Sequence, residues 1–208
     1  MLLIGAGLVA VLVIGAIALL LKDDGTVRTS HPGSPGSVTP SGVPPFRFEK
    51  STPELVRTSR EPIDRRHREA GVRVGAAVRS ILTDLYTEGF LDPANWEQGE
   101  YDAAFRDFAG GARKQAEAHP GLLTAGPRAG ARYDSILPGS SRIATRILLD
   151  RTGSPTLVVS IVRFSAAALG AEPVRLRSNG QFFFERIGGS WKVVSFHVTR
   201  SDAPREGA

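Results

Sequence analysis

Residues Leu2 to Leu21 form an unbroken run of twenty uncharged, apolar positions, closed by Lys22, Asp23 and Asp24. At 1.5 Å per residue such a helix is roughly 30 Å long, about the hydrocarbon thickness of a bilayer. The run has no polar face, which separates it from a helix lying on a soluble core. No basic residue precedes it, and its A-x-A triplet, Ala16-Ile17-Ala18, is followed by three leucines, so the pattern is that of an anchor rather than a cleaved signal. The sequence therefore predicts an integral, single-pass membrane chain with its anchor over residues 1–22. Lys22 and Arg28 lie on the C-terminal side, which by the positive-inside rule alone would keep the remainder in the cytoplasm. The character of the following stretch favours the other side, and an extracytoplasmic C-terminal domain is the expectation taken.

Residues 23–45 are dominated by Pro, Gly, Ser and Thr and offer almost nothing to bury, the composition of a disordered linker. A flexible chain of that length has a typical end-to-end distance of about 25 Å. His31 falls within it and reads as a solvated linker residue. What remains suffices for one domain with a real core, expected over residues 46–201, with residues 202–208 as a disordered tail. The absence of cysteine excludes disulfides, thiol catalysis and Cys-based metal sites. The formal charge is +5, and the basic side is four lysines against twenty-two arginines. Together with abundant Ala and Gly, that bias points to a GC-rich genome and not to a function.

The domain reads as helices followed by strands. Thr52-Pro53-Glu54 has the form of a helix start, with a cap, a proline and an acid. Val74, Val78, Ile81, Leu82 and Leu85 recur at three and four residues and predict an amphipathic helix over about 62–88, ending near Gly89. Shorter helices are predicted over 100–109 and 110–118. From residue 130 the period changes to two, with strands predicted over 143–149, 157–164, 174–176, 181–187 and 191–198. Gly188-Gly189, between two apolar strands, is a hairpin signal. The expected class is α+β, three or so helices packed on a curved antiparallel sheet.

This order, with the late stretch GQFFFERIGGSWKVVSFHV, resembles the nuclear transport factor 2-like cone fold, in which a Gly turn precedes Trp, a basic and a β-branched residue, here Gly189, Trp191, Lys192 and Val193. With an anchor and a Pro/Gly/Ser linker ahead of it, the layout is similar to that of actinobacterial Mce-associated membrane proteins. Scaffold subunits of secretion and conjugation machines share it. The resemblance implies a non-catalytic accessory or scaffold protein of an envelope transport or secretion complex, with a protein partner there and no cofactor. The alternative for the same fold is a small-ligand pocket with lyase or isomerase chemistry.

In such a pocket an Asp, His or Tyr would act from between helices and sheet, where burial shifts its pKa. The candidates are Tyr133, Asp134, Trp191 and His197, with Tyr86 and Tyr101 as further hydroxyls. Tyr133 and Asp134 are adjacent and must face opposite sides, whereas strict alternation puts His197 on one face with Trp191, Val193 and Ser195. Trp191 is expected to be a core anchor. His67, His119 and His197 fit no ligand spacing, so no metal is predicted. Arg65, Arg66, Arg68 and Arg73 form a basic helix face suited to an anionic surface, and the absence of interleaved aromatics argues against nucleic acid. Phe182, Phe183 and Phe184 put rings on both faces of one strand, so that one face is core and the other is available for a partner or for homodimerisation through the sheet.

Overall fold

The protein is seen here as a computed structural model, which describes residues 45–57, 62–98 and 101–204. The expected anchor, and the expected linker up to residue 44, lie outside the described residues. Residues 44–208 form one compact unit. Among the described residues no helix is long and apolar enough to cross a membrane.

The architecture is α+β, with helices packed on a mostly antiparallel sheet. Six strands, β1 (Glu54–Arg57), β2 (Ser135–Pro138), β3 (Arg142–Leu149), β4 (Pro155–Leu169), β5 (Val174–Ile187) and β6 (Ser190–Pro204), make that sheet. Its order is β1-β3-β4-β5-β6, with β2 joined to β4 beyond the end of β3. Only β1 runs parallel to its neighbour, β3. The helices are α1 (Arg65–Tyr86), continued by a π-helical turn over Thr87–Leu91, then α2 (Pro93–Gln98), α3 (Gly110–Ala118) and α4 (Ala129–Arg132).

Helix α1 begins where Asp64 caps it. The Asp64 carboxylate accepts from the His67 backbone N–H at 2.9 Å, and His67 Nδ1 accepts from the Asp64 N–H at 3.2 Å, a reciprocal capping box. Val78, Leu82, Leu85 and Tyr86 are its buried side chains, along with Gly71 and Gly75. The two glycines let β1 and the residue before it lie directly on the helix. A Cβ at Gly71 would stand 2.5 Å from the end of Leu55, and one at Gly75 2.4 Å from the Pro53 ring.

That close packing explains why the helix predicted from Thr52-Pro53-Glu54 is instead a strand. Leu55 packs against the core, and the extended backbone pairs with β3. Glu54 accepts two bonds from Arg146, at 2.9 and 3.0 Å. The helix predicted over 100–109 is likewise absent. Tyr101, Ala104, Phe105 and Phe108 are buried, as their helical spacing requires, but the chain makes single turns. It then straightens to trade bonds with β6, Val193 N–H to Asp107 at 2.8 Å and Ala109 N–H to Val193 at 2.9 Å.

The strands are longer than the pattern predicts. The stretches around 174–176 and 181–187 are one strand, β5. Strand β6 pairs with it as far as Pro204, past the Ser201 expected to end the domain. Gly188 and Gly189 close the β5–β6 hairpin with φ of 59° and 86°, the left-handed pair of a two-residue turn. A bulge interrupts β6. Phe183 faces Ser195 while Phe184 faces Val193, so Val194 is the extra residue.

Candidate functional site

Aromatic rings pack against one another between helices and sheet. Tyr86, fully buried at the end of α1, stacks on Phe90 at 5.5 Å and 12° and contacts Phe164 at 4.7 Å and Phe48 at 5.4 Å. Phe182 and Phe184 of β5 are fully buried, and Phe196 of β6 packs between Phe182 and Phe108. The Tyr86 hydroxyl meets the Ser178 hydroxyl at 2.9 Å, joining α1 to β5. Burial drives the Tyr86 pKa well above its ordinary value, so this phenol stays protonated. Tyr101 is raised by the same cause while it donates to the Gly126 carbonyl at 2.7 Å. Among the described residues no carboxylate, imidazole or ammonium is buried, and no three His, Asp or Glu side chains gather as metal ligands. Such an interior holds the helices to the sheet.

The sequence-nominated residues are spread over the domain. Tyr133 caps α4 and is buried, with the Arg132 guanidinium 5.0 Å above its ring, whereas Asp134 is exposed. Trp191 is half-buried beside the hairpin turn and packs against the margin of the core, so the full core position expected for it belongs to Phe184 and Val193. His197 is exposed on the outer face. The Val194 bulge separates it from Trp191 and Val193, which lie on the inner side, so the shared face expected from strict alternation does not exist.

Arg200 is a site residue that the sequence patterns do not single out. It lies on the inner side of β6, forks onto Asp202 at 2.8 Å through both Nε and Nη2, and donates to the carbonyls of Gly121, at 3.0 Å, and Thr124. Its guanidinium also stands 5.6 Å from the Phe90 ring. It ties the loop after α3 to the sheet. The signal was present as Arg-x-Asp at one-face spacing in a strand.

The basic face of α1 is partly neutralised. Arg65 pairs with Glu69 at 2.7 Å, and Arg68 donates to the Ile63 carbonyl at 3.1 Å, while Arg66 and Arg73 are exposed. The outer face of the sheet is more distinctive. Phe182 and Phe184 point into the core, and Phe183 points out, beside Val159 on β4 and Ser195 on β6. Val159 is 2 % exposed yet lies apart from the core cluster, shielded by its outer-face neighbours. Leu148, Leu157 and Ile161 are half-buried on the same side and form with Phe183 an apolar stripe across β3, β4 and β5, bordered by Arg146, Gln181 and His197.

Fold and surface together define an α+β domain with aromatic rings in its core and an apolar stripe on part of the outer sheet face. Compared with known proteins, the chain matches no family model and no curated protein.

Proposed function

We propose that the chain is a non-catalytic, membrane-tethered scaffold whose domain is a nuclear transport factor 2-like cone acting outside the cytoplasm. It serves the assembly or stability of an envelope transport or secretion complex, as the resemblance to actinobacterial Mce-associated membrane proteins implies. The observation that carries the reading is the distribution of rings. Those inside are packed against one another, while Phe183 is turned outward onto an apolar stripe where a second copy or a protein partner can sit. A shared membrane raises the effective concentration of both partners, so a weak contact through this stripe suffices.

A first test concerns the tether. The full-length chain should stay with membranes through carbonate extraction, since twenty apolar residues insert far more firmly than a basic surface adsorbs. Protease added to intact spheroplasts should cut within residues 25–45. A carbonate-soluble chain, or protection until lysis, would overturn the tether or its orientation respectively.

One observation favours a second reading, a small-ligand site. The Trp96 indole N–H on α2 and the Tyr133 hydroxyl at the end of α4 are buried with no hydrogen-bond partner among the described residues. Stoichiometric binding of a small molecule, lost in Tyr133→Phe, would favour this reading over the scaffold.

A further inference from the structure

The other half of the outer sheet face is cationic. The register sets out its rows across the strands. Arg142 of β3 lies directly opposite Arg163 of β4, continuing to Asn179 and Thr199. The next rows run Ser165–Arg177–Ser201 and Leu137–Ala167–Arg175–Ala203. All four arginines are exposed, and these rows contain no acid. Glu49 offsets Arg142 at 3.2 Å, whereas Arg163, Arg175 and Arg177 take part in no ion pair among the described residues. Like charges directly opposite on a sheet oppose folding. A second copy is a poor cover for this half, because its own sheet face would bring further arginines and few acids.

The place where the chain joins the domain bears on the choice of occupant. Residues 45–49 meet the sheet at this cationic end. The Glu49 N–H donates to the Ser141 carbonyl at 3.1 Å, and Glu49 bridges to Arg142. The stretch leading back to the apolar run has a sequence-based reach of about 25 Å. We propose that Arg142, Arg163, Arg175 and Arg177 form a docking face for anionic phospholipid headgroups, laying the basic half of the sheet on the bilayer that anchors the chain. The inference rests on the tether reading above, and it puts lipid contact on the sheet rather than on α1. Guanidinium forks suit phosphate oxygens. Arg177 and Phe183 are six residues apart, about 20 Å along the strand, so lipid and protein contacts can use separate halves of one face.

The chain has no cysteine, so a single Ser201→Cys beside Arg177 accepts a fluorophore cleanly. Val72→Cys on the exposed side of α1 supplies the control. The full chain would be reconstituted into vesicles of phosphatidylcholine alone or with about 30 % phosphatidylglycerol, and quenching by neutral acrylamide measured. At low salt the Ser201 label should be protected about fivefold or more with phosphatidylglycerol, the effect of one arginine near an anionic surface. Protection should vanish in 1 M salt, where screening acts within about 3 Å. It should also vanish in Arg163→Glu/Arg177→Glu and be intermediate in Arg163→Gln/Arg177→Gln, with the Val72 label unchanged throughout. Equal quenching in both vesicles with the chain retained after carbonate would overturn the docking face and leave the tether standing. Protection by an added oligonucleotide or acidic protein, and not by phosphatidylglycerol, would overturn it in favour of that partner. A carbonate-soluble chain would bring down the tether and this inference together.

Discussion

At the scale of single residues, the Tyr86–Ser178 contact is a buried polar joint between α1 and β5. Tyr86→Phe strands the Ser178 hydroxyl in the core and should cost about 1–3 kcal/mol, whereas Tyr86→Phe/Ser178→Ala should cost less than the two single changes summed. Chemical denaturation of the four proteins checks this. Two exposed carboxylates should contribute to acid sensitivity. The His67 backbone N–H holds Asp64 below its ordinary value, and the Thr152 hydroxyl followed by the Ser154 N–H does the same for Asp150 in the β3–β4 turn. A lowered pKa means the folded state favours the anion. The stabilisation is complete above the ordinary value of about 3.8 and is lost as the pH falls through the folded-state value. Melting temperature should therefore fall below about pH 4, and fall less in Asp64→Asn/Asp150→Asn. Equal acid slopes in the two proteins would refute this assignment.

At the scale of elements, Gly71 and Gly75 admit the β1 segment onto α1, and they should respond differently to the same change. Alanine in a helix gains about 1 kcal/mol over glycine. At Gly71 the obstructing atoms are the mobile end of Leu55, so Gly71→Ala should be near neutral. At Gly75 they belong to the Pro53 ring, which cannot turn aside. Overpacking of about 1–3 kcal/mol should outweigh the propensity gain there, leaving Gly75→Ala destabilised with reduced amide protection over residues 54–57. Hydrogen exchange on both variants checks the contrast.

The sequence made the long elements legible. The three-and-four spacing of Val78, Leu82 and Leu85 marks α1, and the alternation of Ile143, Ile147 and Leu149 marks β3. Elements decided by distant partners were not legible. The cap-like Thr52-Pro53-Glu54 became extended because β3 offered an edge, and residues 101–109 gave up a helix to pair with Val193. The Val194 bulge erased the face assumed for His197, since one extra residue reverses every later side chain in a period of two. Arginines 142, 163, 175 and 177 looked scattered in the chain, and only the strand register brings them together.

At the scale of the whole domain, the two faces of the sheet differ in character. The inner face is committed to the helices through Phe182, Phe184, Phe196 and Val193. The outer face carries an apolar stripe at one end and arginines at the other, and the scaffold reading assigns the stripe to protein. Phe183 and Phe184 are neighbours in sequence and opposites in this scheme, which makes the pair a decisive comparison. Sedimentation of residues 44–208, the compact unit, across a concentration series should show weak self-association, or binding of a membrane-complex partner. Phe183→Glu should remain folded by circular dichroism and lose that association, whereas Phe184→Glu should unfold because it buries an unpaired charge. Parent and Phe183→Glu proteins that are both monomeric at the highest concentration, capture no partner, and bind a small apolar molecule one to one would contradict the scaffold account and favour a pocket.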